Sequence, residues 1–289
     1  MADTLAALAP SPSSKGALYA ETIPSIPSSA RTLLESYANI PPDDVLPHIH
    51  RIRDKAWSIA PYGCIGLGGF ATPTIQTHPL YRSILSDLKS GSNGSGGKRM
   101  LDLGCGLGQN MRQLWFDGAP DASVAGADVE LGLAQCGFEL FRDSARAGRT
   151  VFLNGDVFDE EGPLHAMARG QFDYVYAAMF FHLWDWEGQV EASVQASRLL
   201  KGEAGVRVVG WQVGGKGKEV EVESGRHEGG KRKMFAQDEA SLRRLWDEVG
   251  ERTGSKWRVT AENDRPEWLV EAMRGAREVE RVVFTVERL

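Results

Sequence analysis

The stretch Leu101-Asp102-Leu103-Gly104-Cys105-Gly106-Leu107-Gly108-Gln109 constrains this chain more than any other. Apolar residues around an acid, followed by three closely spaced glycines, spell a strand that turns sharply into a helix. Glycine lacks a Cβ, so the backbone there reaches conformations other residues avoid and lets a ligand come close. The helix that follows offers its first, unpaired N–H groups and the positive end of its dipole. An α/β protein holds an anionic or zwitterionic cofactor in this way. Spacing narrows the choice, because a dinucleotide turn requires G-x-G-x-x-G. Here the third glycine, Gly108, comes one residue early, Gln109 holds the required place, and Asp102 has no counterpart in that pattern.

The residues after this turn read as the sheet it needs. Strands at 99–103, 123–128, 150–153, 172–177 and 206–213 alternate with helices at 108–116, 131–147 and 188–200, the pattern of a parallel sheet. Leu242, Leu245, Trp246 and Val249 stripe a further helix that Gly254 ends, and strands at 257–261 and 282–286 follow. Before the turn the pattern is helical. Val45, Ile49, Ile52, Ala56 and Ile59 recur at helix spacing, with Asp43 placed to cap. Pro79 opens a second helix with Tyr81, Ile84, Leu85 and Leu88 on one face. The Gly/Ser run 91–97 is a linker. These signals divide the chain into a tail and helical cap or lid over 1–95 and a cofactor-binding domain over 96–289. Residues 10–29, rich in Ser and Pro, read as a mobile tail or as a lid that orders over the site.

With 289 residues, 42% hydrophobic and 25% charged, the chain can bury a core of that size. A net charge of -6 and a pI near 5.6 argue against nucleic acid as a partner. No apolar run is long enough to cross a bilayer, and the first residues lack a basic stretch followed by an apolar one. A cytoplasmic protein with no membrane partner is expected. Cys64, Cys105 and Cys136 are too few and too scattered for a disulfide framework or a zinc cluster.

In an open α/β sheet, ligands bind beyond the carboxyl ends of the strands. The residues there are acids. Asp102 is placed to meet an amino-acid end of the ligand. Asp128 ends Ala125-Gly126-Ala127-Asp128, where a carboxylate suits two ribose hydroxyls. Asp156, in Asn154-Gly155-Asp156-Val157, can accept from an exocyclic amine, and Val157 and Phe158 can pack on a flat adenine. Any one of them is also an ordinary cap or turn residue. Three at successive strand ends, in register with the glycine turn, point to a ligand.

The pattern Asp102-x-Gly104-x-Gly106-x-Gly108, with Gly126-Ala127-Asp128, Gly155-Asp156-Val157 and residues 172–189, resembles the class I S-adenosylmethionine (SAM) methyltransferases. Pro61-Tyr62-Gly63-Cys64-Ile65-Gly66, His78-Pro79-Leu80-Tyr81, Phe181-His182-Leu183-Trp184-Asp185-Trp186 and residues 242–250 are similar to fungal secondary-metabolite methyltransferases, a group that includes enzymes methylating carboxyl groups of meroterpenoid intermediates. The resemblance covers most of the chain beyond Pro41 and is poor over the N-terminal tail and 216–233. It implies an α/β, Rossmann-like class I fold. The sheet is then seven-stranded and mostly parallel, its last strand antiparallel, with helices on both faces and an N-terminal helical cap. It also implies SAM as methyl donor and S-adenosylhomocysteine as product. The implied cofactor contacts are Asp102, Gly104, Gly106, Gly108, Asp128, Val129, Asp156, Val157 and Ala177.

Methyl transfer from a sulfonium needs a placed nucleophile and exclusion of water. A carboxylate is ionised at neutral pH, whereas a phenol benefits from a general base. The segment Met179-Phe180-Phe181-His182-Leu183-Trp184-Asp185-Trp186 should lie beside the sulfonium. His182 is the candidate catalytic base or hydrogen-bonding group. Phe181, Trp184 and Trp186 are candidate walls that can face a cation, or core under the next helix. Tyr19, Trp57 and Tyr62 are placed to close the pocket from the N-terminal side. Arg51, Arg53, Arg226 and Lys233 are candidate clamps for an acidic substrate, or a polar surface. The expected substrate contacts are Tyr19, Trp57, Tyr62, Trp184 and Arg226. Acids interrupt the basic residues of 216–233, including Lys216, Lys218, Lys231 and Arg232, so that run reads as a solvated loop or hairpin rather than a basic clamp. His48 and His50 are expected in solvent, and nothing has metal-ligand spacing. The expected activity is SAM-dependent O-methylation of a small, largely apolar carboxylic acid, by a monomer or homodimer. A phenol, amine or thiol acceptor, or a SAM-binding protein that does not methylate, are the alternatives.

Overall fold

The computed structural model describes residues 12–13, 16–90, 97–146, 151–224, 231–266 and 280–289. A short antiparallel pair, β1 (Pro12–Ser13) and β2 (Gly16–Ala20), leads into a cap of α1 (Ser28–Thr32), α2 (Val45–Ile59), the single turn α3 (Gly63–Gly66) and α4 (Tyr81–Lys89). Beyond it come β3 (Met100–Leu103), α5 (Gln109–Phe116), β4 (Val124–Asp128), α6 (Leu131–Leu140), β5 (Val151–Asn154), α7 (Pro163–Ala168), β6 (Tyr174–Ala178), α8 (Trp186–Leu199) and β7 (Arg207–Gly214). A hairpin of β8 (Lys218–Glu223) and β9 (Lys231–Ala236) follows, then α9 (Glu239–Thr253), β10 (Trp257–Asp264) and β11 (Glu280–Arg288). The main sheet has seven strands among the described residues, in the order β10-β11-β7-β6-β3-β4-β5. Strand β11 is antiparallel to both neighbours, and the pairs from β7 to β5 are parallel.

Helices cover both faces because the strands are apolar on both. Leu101, Leu103, Val175 and Val208 pack with Leu164, Val190, Leu245 and Trp246 of α7, α8 and α9. Met100, Val124, Tyr174 and Val209 pack with Ile84 and Leu88 of α4 and with Met111 and Leu114 of α5. Strand order reverses at β3, so its carboxyl end opens on the crevice where α/β sheets bind ligands. Asp102 lies one residue before that end.

The cap docks through α2. Val45, Ile49, Ile52 and Ala56 join Leu133, Cys136 and Leu140 of α6 in one cluster, together with Leu107 of the glycine turn. Residues leading into the cap are packed, not free: Tyr19, Ala20 and Ile23 are buried. Among the described residues no helix is long and apolar enough to cross a membrane.

Three expectations are corrected here. Asp43 does not cap α2; it lies in a 3₁₀ turn, Pro42–Asp44, and Asp44 takes the cap position without a side-chain cap bond. Helix α6 ends at Leu140, well short of residue 147, because Arg142 adopts a positive φ of 50° and the chain turns into Ser144–Arg146. His48 and His50 do not face solvent. His48 is buried with its Nε2 2.9 Å from the Leu140 carbonyl, one of the acceptors a helix end leaves open. His50 is half-buried and its Nε2 accepts the Ile23 N–H at 2.8 Å.

Arg112, one turn into α5, has no exposed side chain at all. Its Nη1 donates to the Leu107 carbonyl at 3.1 Å, and its Nε and Nη2 fork onto Asp143 at 3.0 and 3.1 Å. The rings of Phe138 and Phe141 lie 4.9 and 5.2 Å from the guanidinium. Tyr37 of the cap donates its hydroxyl to Asp143 at 2.7 Å. Arg112→Met leaves that carboxylate buried and unpaired, and is expected to cost about 3–5 kcal/mol in urea unfolding. The double variant Arg112→Met with Asp143→Leu should recover much of the loss. Equal losses in the single and double variants would show that the pair does not hold this region.

Candidate active site

Gly104, Gly106 and Gly108 have φ of 70°, 54° and 75°, so each requires the conformation glycine reaches without strain. The N–H groups of Gly104 and Cys105 donate to the Ala127 carbonyl at 2.8 and 3.0 Å. The Gly106 N–H donates to Asp128 Oδ2 at 2.9 Å, and Asp128 Oδ1 accepts from the Glu130 N–H at 2.9 Å. The end of β4 is thereby laced to the turn. Asn154 at the end of β5 donates to the Val129 carbonyl at 3.0 Å, and Asp156 Oδ1 accepts the Phe158 N–H at 3.0 Å. Val129 and Asp156 are exposed at the mouth, while Val157 and Ala177 are buried. The carboxyl ends of β3 to β6 thus bring all the expected cofactor residues to one edge.

The crevice fits SAM. A Cβ built on Gly106 would meet nothing within 4 Å, so the turn presents an open face there. Asp102 Oδ2 and Gln109 Oε1 are buried acceptors without a hydrogen-bond partner among the described residues. Burial, and then the charge of Asp128, push the Asp102 carboxyl up to about 8. Two unmet acceptors beside an open glycine suit an ammonium group, and Asp128 retains lone pairs for hydroxyls. Cys64 of α3 touches solvent yet is ringed by protein. Burial of the thiol, then the charge of Asp128, push it up to about 11.

The segment after β6 forms the opposite wall. Met179 has a φ of 54°, a strained value for a residue with a side chain, and its N–H is held by the Trp211 carbonyl at 2.8 Å. This kink aims Phe180 back over the turn, where a Cβ on Gly104 would lie 2.5 Å from its ring. Trp184 meets Phe180 and Phe158 edge-on at 5.1 and 5.0 Å. His182 is 6% exposed, and its Nδ1 has no hydrogen-bond partner among the described residues. Burial, then the nearby Arg232 guanidinium, push its pKa down to about 3.

Other expected residues lie elsewhere. Trp186 packs on Phe235 at 4.9 Å and donates to Glu248 of α9, so it faces away from this wall. Tyr19 and Trp57 pack on each other at 5.1 Å, with Tyr19 also bonded to Asp54. Tyr62 precedes α3 and packs on the cap cluster. Arg226 lies outside the described residues. Arg53 is buried on Asp54 and the Ala20 carbonyl, Lys233 pairs with Glu219, and Arg51 bonds His48. Sequence reading gave no role to Phe180, whose aim depends on the unannounced kink at Met179. It also passed over Gln189, a buried amide that donates to the Trp184 and Phe235 carbonyls at 3.0 and 2.8 Å. An amide among the apolar residues of α8 was the available signal. Among the described residues no group of three His, Cys, Asp or Glu is placed to hold a metal ion.

The reversed sheet, the glycine turn and its acids define a class, the SAM-dependent methyltransferases of Rossmann-like fold. Residues 18–71 match the family described as meroterpenoid methyltransferase N-terminal domain, and residues 100–203 match a methyltransferase domain family. O-methyltransferase phiE of Fungal sp. (strain ATCC 74256) is 39% identical over 230 residues, 80% of this chain and 73% of its own. O-methyltransferase atr3 of Stereocaulon alpinum is 38% identical over 267 residues, 90% of this chain and 72% of its own. Among solved structures, magnesium protoporphyrin IX methyltransferase from Synechocystis PCC 6803 covers 92% of this chain and 99% of its own, at a TM-score of 0.43 and 14% identity. The chain belongs to the fungal secondary-metabolite methyltransferases.

Two outcomes test the cofactor crevice. Gly106→Ala meets no neighbour and is expected to cost only about 1 kcal/mol of stability, from the positive φ. Because the added methyl fills the open face, the Kd for SAM in calorimetry should rise about tenfold or more. The second concerns pH. Between 3.8 and about 8 the folded chain holds a proton on Asp102 that the unfolded chain has lost, so stability of the ligand-free enzyme falls as pH rises through that window. Asp102→Asn should flatten the pH dependence of the urea midpoint; an unchanged slope would show that Asp102 is not the group responsible.

Proposed function

We propose that this enzyme methylates the carboxyl group of a small, largely apolar acid, yielding a methyl ester and S-adenosylhomocysteine. The observation that carries the reading is His182: it is buried, no acid hydrogen-bonds its Nδ1 among the described residues, and burial pushes its pKa down to about 3. So weak a base is poorly matched to a phenol, whose pKa is about 10, and a carboxylate needs no base at neutral pH. Bound SAM supplies an electrophilic methyl group on a sulfonium. A carboxylate oxygen forms the new C–O bond as the methyl–sulfur bond breaks with its electron pair to sulfur, and no proton moves.

The chain's own work is then placement and exclusion of water. The Phe180 and Trp184 rings form the apolar wall, and His182 offers a neutral hydrogen-bonding edge. The match of residues 18–71 to a meroterpenoid methyltransferase domain supports a mixed polyketide–terpenoid acid as the substrate class. The printed names of phiE and atr3 support oxygen as the acceptor atom.

The test uses isosteric probes: 2-naphthoic acid, 2-naphthol, 2-naphthylamine and 2-naphthalenethiol with methyl-labelled SAM, the label located by mass spectrometry. Methyl naphthoate is the expected product, and label on another probe with none on the acid overturns the reading. His182→Gln should keep turnover of the acid within about tenfold, with no His182 ionisation in the pH profile from about pH 6 to about pH 9. A fall of more than about a hundredfold with SAM affinity intact would make His182 the base instead.

A further inference from the structure

The β8–β9 hairpin pairs Val220 with Met234, Val222 with Arg232, and Glu221 with Lys233. Opposed residues share a face, so Val220, Val222, Arg232 and Met234 lie on one side and Glu221 and Lys233 on the other. The charged side is self-paired, Lys233 with Glu219 and Lys231 with Glu221. The other side packs on Val213 of β7 and on Met179, the kinked residue that aims Phe180 at the glycine turn. Two cations share this side among the described residues, Lys218 at its exposed end and Arg232 beside Val222. Arg232 is half-buried, and among the described residues it makes one hydrogen bond, from Nη1 to the His182 carbonyl at 2.7 Å, and no ion pair. Among the described residues most of its five N–H donors therefore have no protein acceptor, and a partly buried charge with no counter-ion among them is one that a ligand can complete.

We propose that Arg232 is the substrate-recognition residue of this site, pairing its guanidinium with the substrate carboxylate while Met179, Val222 and Met234 receive the adjoining apolar skeleton. The proposal rests on the carboxyl-methylation reading above and deepens it. Arg232 belongs to the basic run whose other described members, Lys216, Lys218, Lys231 and Lys233, are exposed or paired. Its position differs because the period-two alternation of the hairpin turns it inward, beside the segment that lines the cofactor crevice. Arg232 forms no bond to the methyl group and takes no proton; its fork engages both carboxylate oxygens by one lone pair each and leaves the other lone pair of one oxygen to attack. Fork-shaped pairing suits a planar carboxylate and not an amide or an ester.

The experiment measures calorimetric binding of 2-naphthoate and of neutral 2-naphthamide to the enzyme loaded with S-adenosylhomocysteine. Wild type should prefer the acid by about tenfold or more. Arg232→Gln keeps a donor for the His182 carbonyl but loses the charge. It should abolish the preference and raise KM for the acid about tenfold or more, with kcat and SAM affinity little changed and 2-naphthamide binding unaltered. Arg232→Lys should recover part of the preference. Acid methylation with a preference unaffected by Arg232→Gln overturns this proposal and leaves the function standing. No acid preference in wild type overturns it as well. Label on 2-naphthol together with an Arg232-dependent preference for naphthoate overturns the carboxyl-methylation reading and keeps the anion site.

Discussion

The ligand-facing end of this sheet rests on a buried guanidinium. A turn with three left-handed glycines has high conformational freedom when unfolded and must be held rigidly to bind anything. Arg112 holds it from behind through the Leu107 carbonyl, and its own charge is tolerable only because Asp143 completes a forked pair. Asp143 also takes the hydroxyl of Tyr37, so the cap, α5 and the stretch after α6 meet at one ionic cluster. The burial of Leu107 among the α2 and α6 residues adds an apolar seam at the same place. Cap and cofactor turn are therefore one mechanical unit, and loosening either should be felt in the other.

In front of that unit the charges are segregated. The cofactor side carries the carboxyl groups of Asp102, Asp128 and Asp156, at the ends of three adjacent strands, with Asp102 holding a proton up to about pH 8 until a cation binds. The hairpin side carries Arg232, with His182 neutral between them. A sulfonium with an ammonium group is cationic and belongs against the acids, while a carboxylate belongs against the guanidinium. With a carboxylate substrate held by Arg232, as proposed, this polarity would orient two oppositely charged reactants toward each other without a proton carrier. Phe180 and Trp184 meet edge-on and give the wall after β6 an apolar surface, where charges are screened less than in water.

Much of the fold could be read from period and turn chemistry. The stripes on α2, α4 and α9 are buried or half-buried as spaced, Gly254 is the left-handed stop of α9, and the seven-stranded sheet has the expected antiparallel last strand. The glycine turn and its acids were legible because their chemistry needs particular residue types at particular spacing. What escaped was set by tertiary contacts. The α6 end depends on Arg142 entering a left-handed conformation. His48 reads as surface by helix position, but an open carbonyl of α6 draws it inward. Phe180 owes its place to Met179, a residue with no propensity for the conformation it adopts.

The two halves of the site are also built by different means. On the cofactor side, backbone groups bond to backbone or to one carboxylate, and positive φ demands glycine, so few sequences will serve. The hairpin is joined to the wall mostly by side chains: Gln189 to two carbonyls, Gln237 to Gln189, and Arg232 to one carbonyl, with a single backbone bond from Phe235 to Trp184. Contacts of that kind change with one substitution and leave the turn undisturbed. A strand alternating charged and apolar residues needs only one inward position altered to exchange a cation for an apolar group. If Arg232 selects the acceptor, as proposed, that preference can shift through the hairpin while the methyl-donor site stays fixed by its backbone.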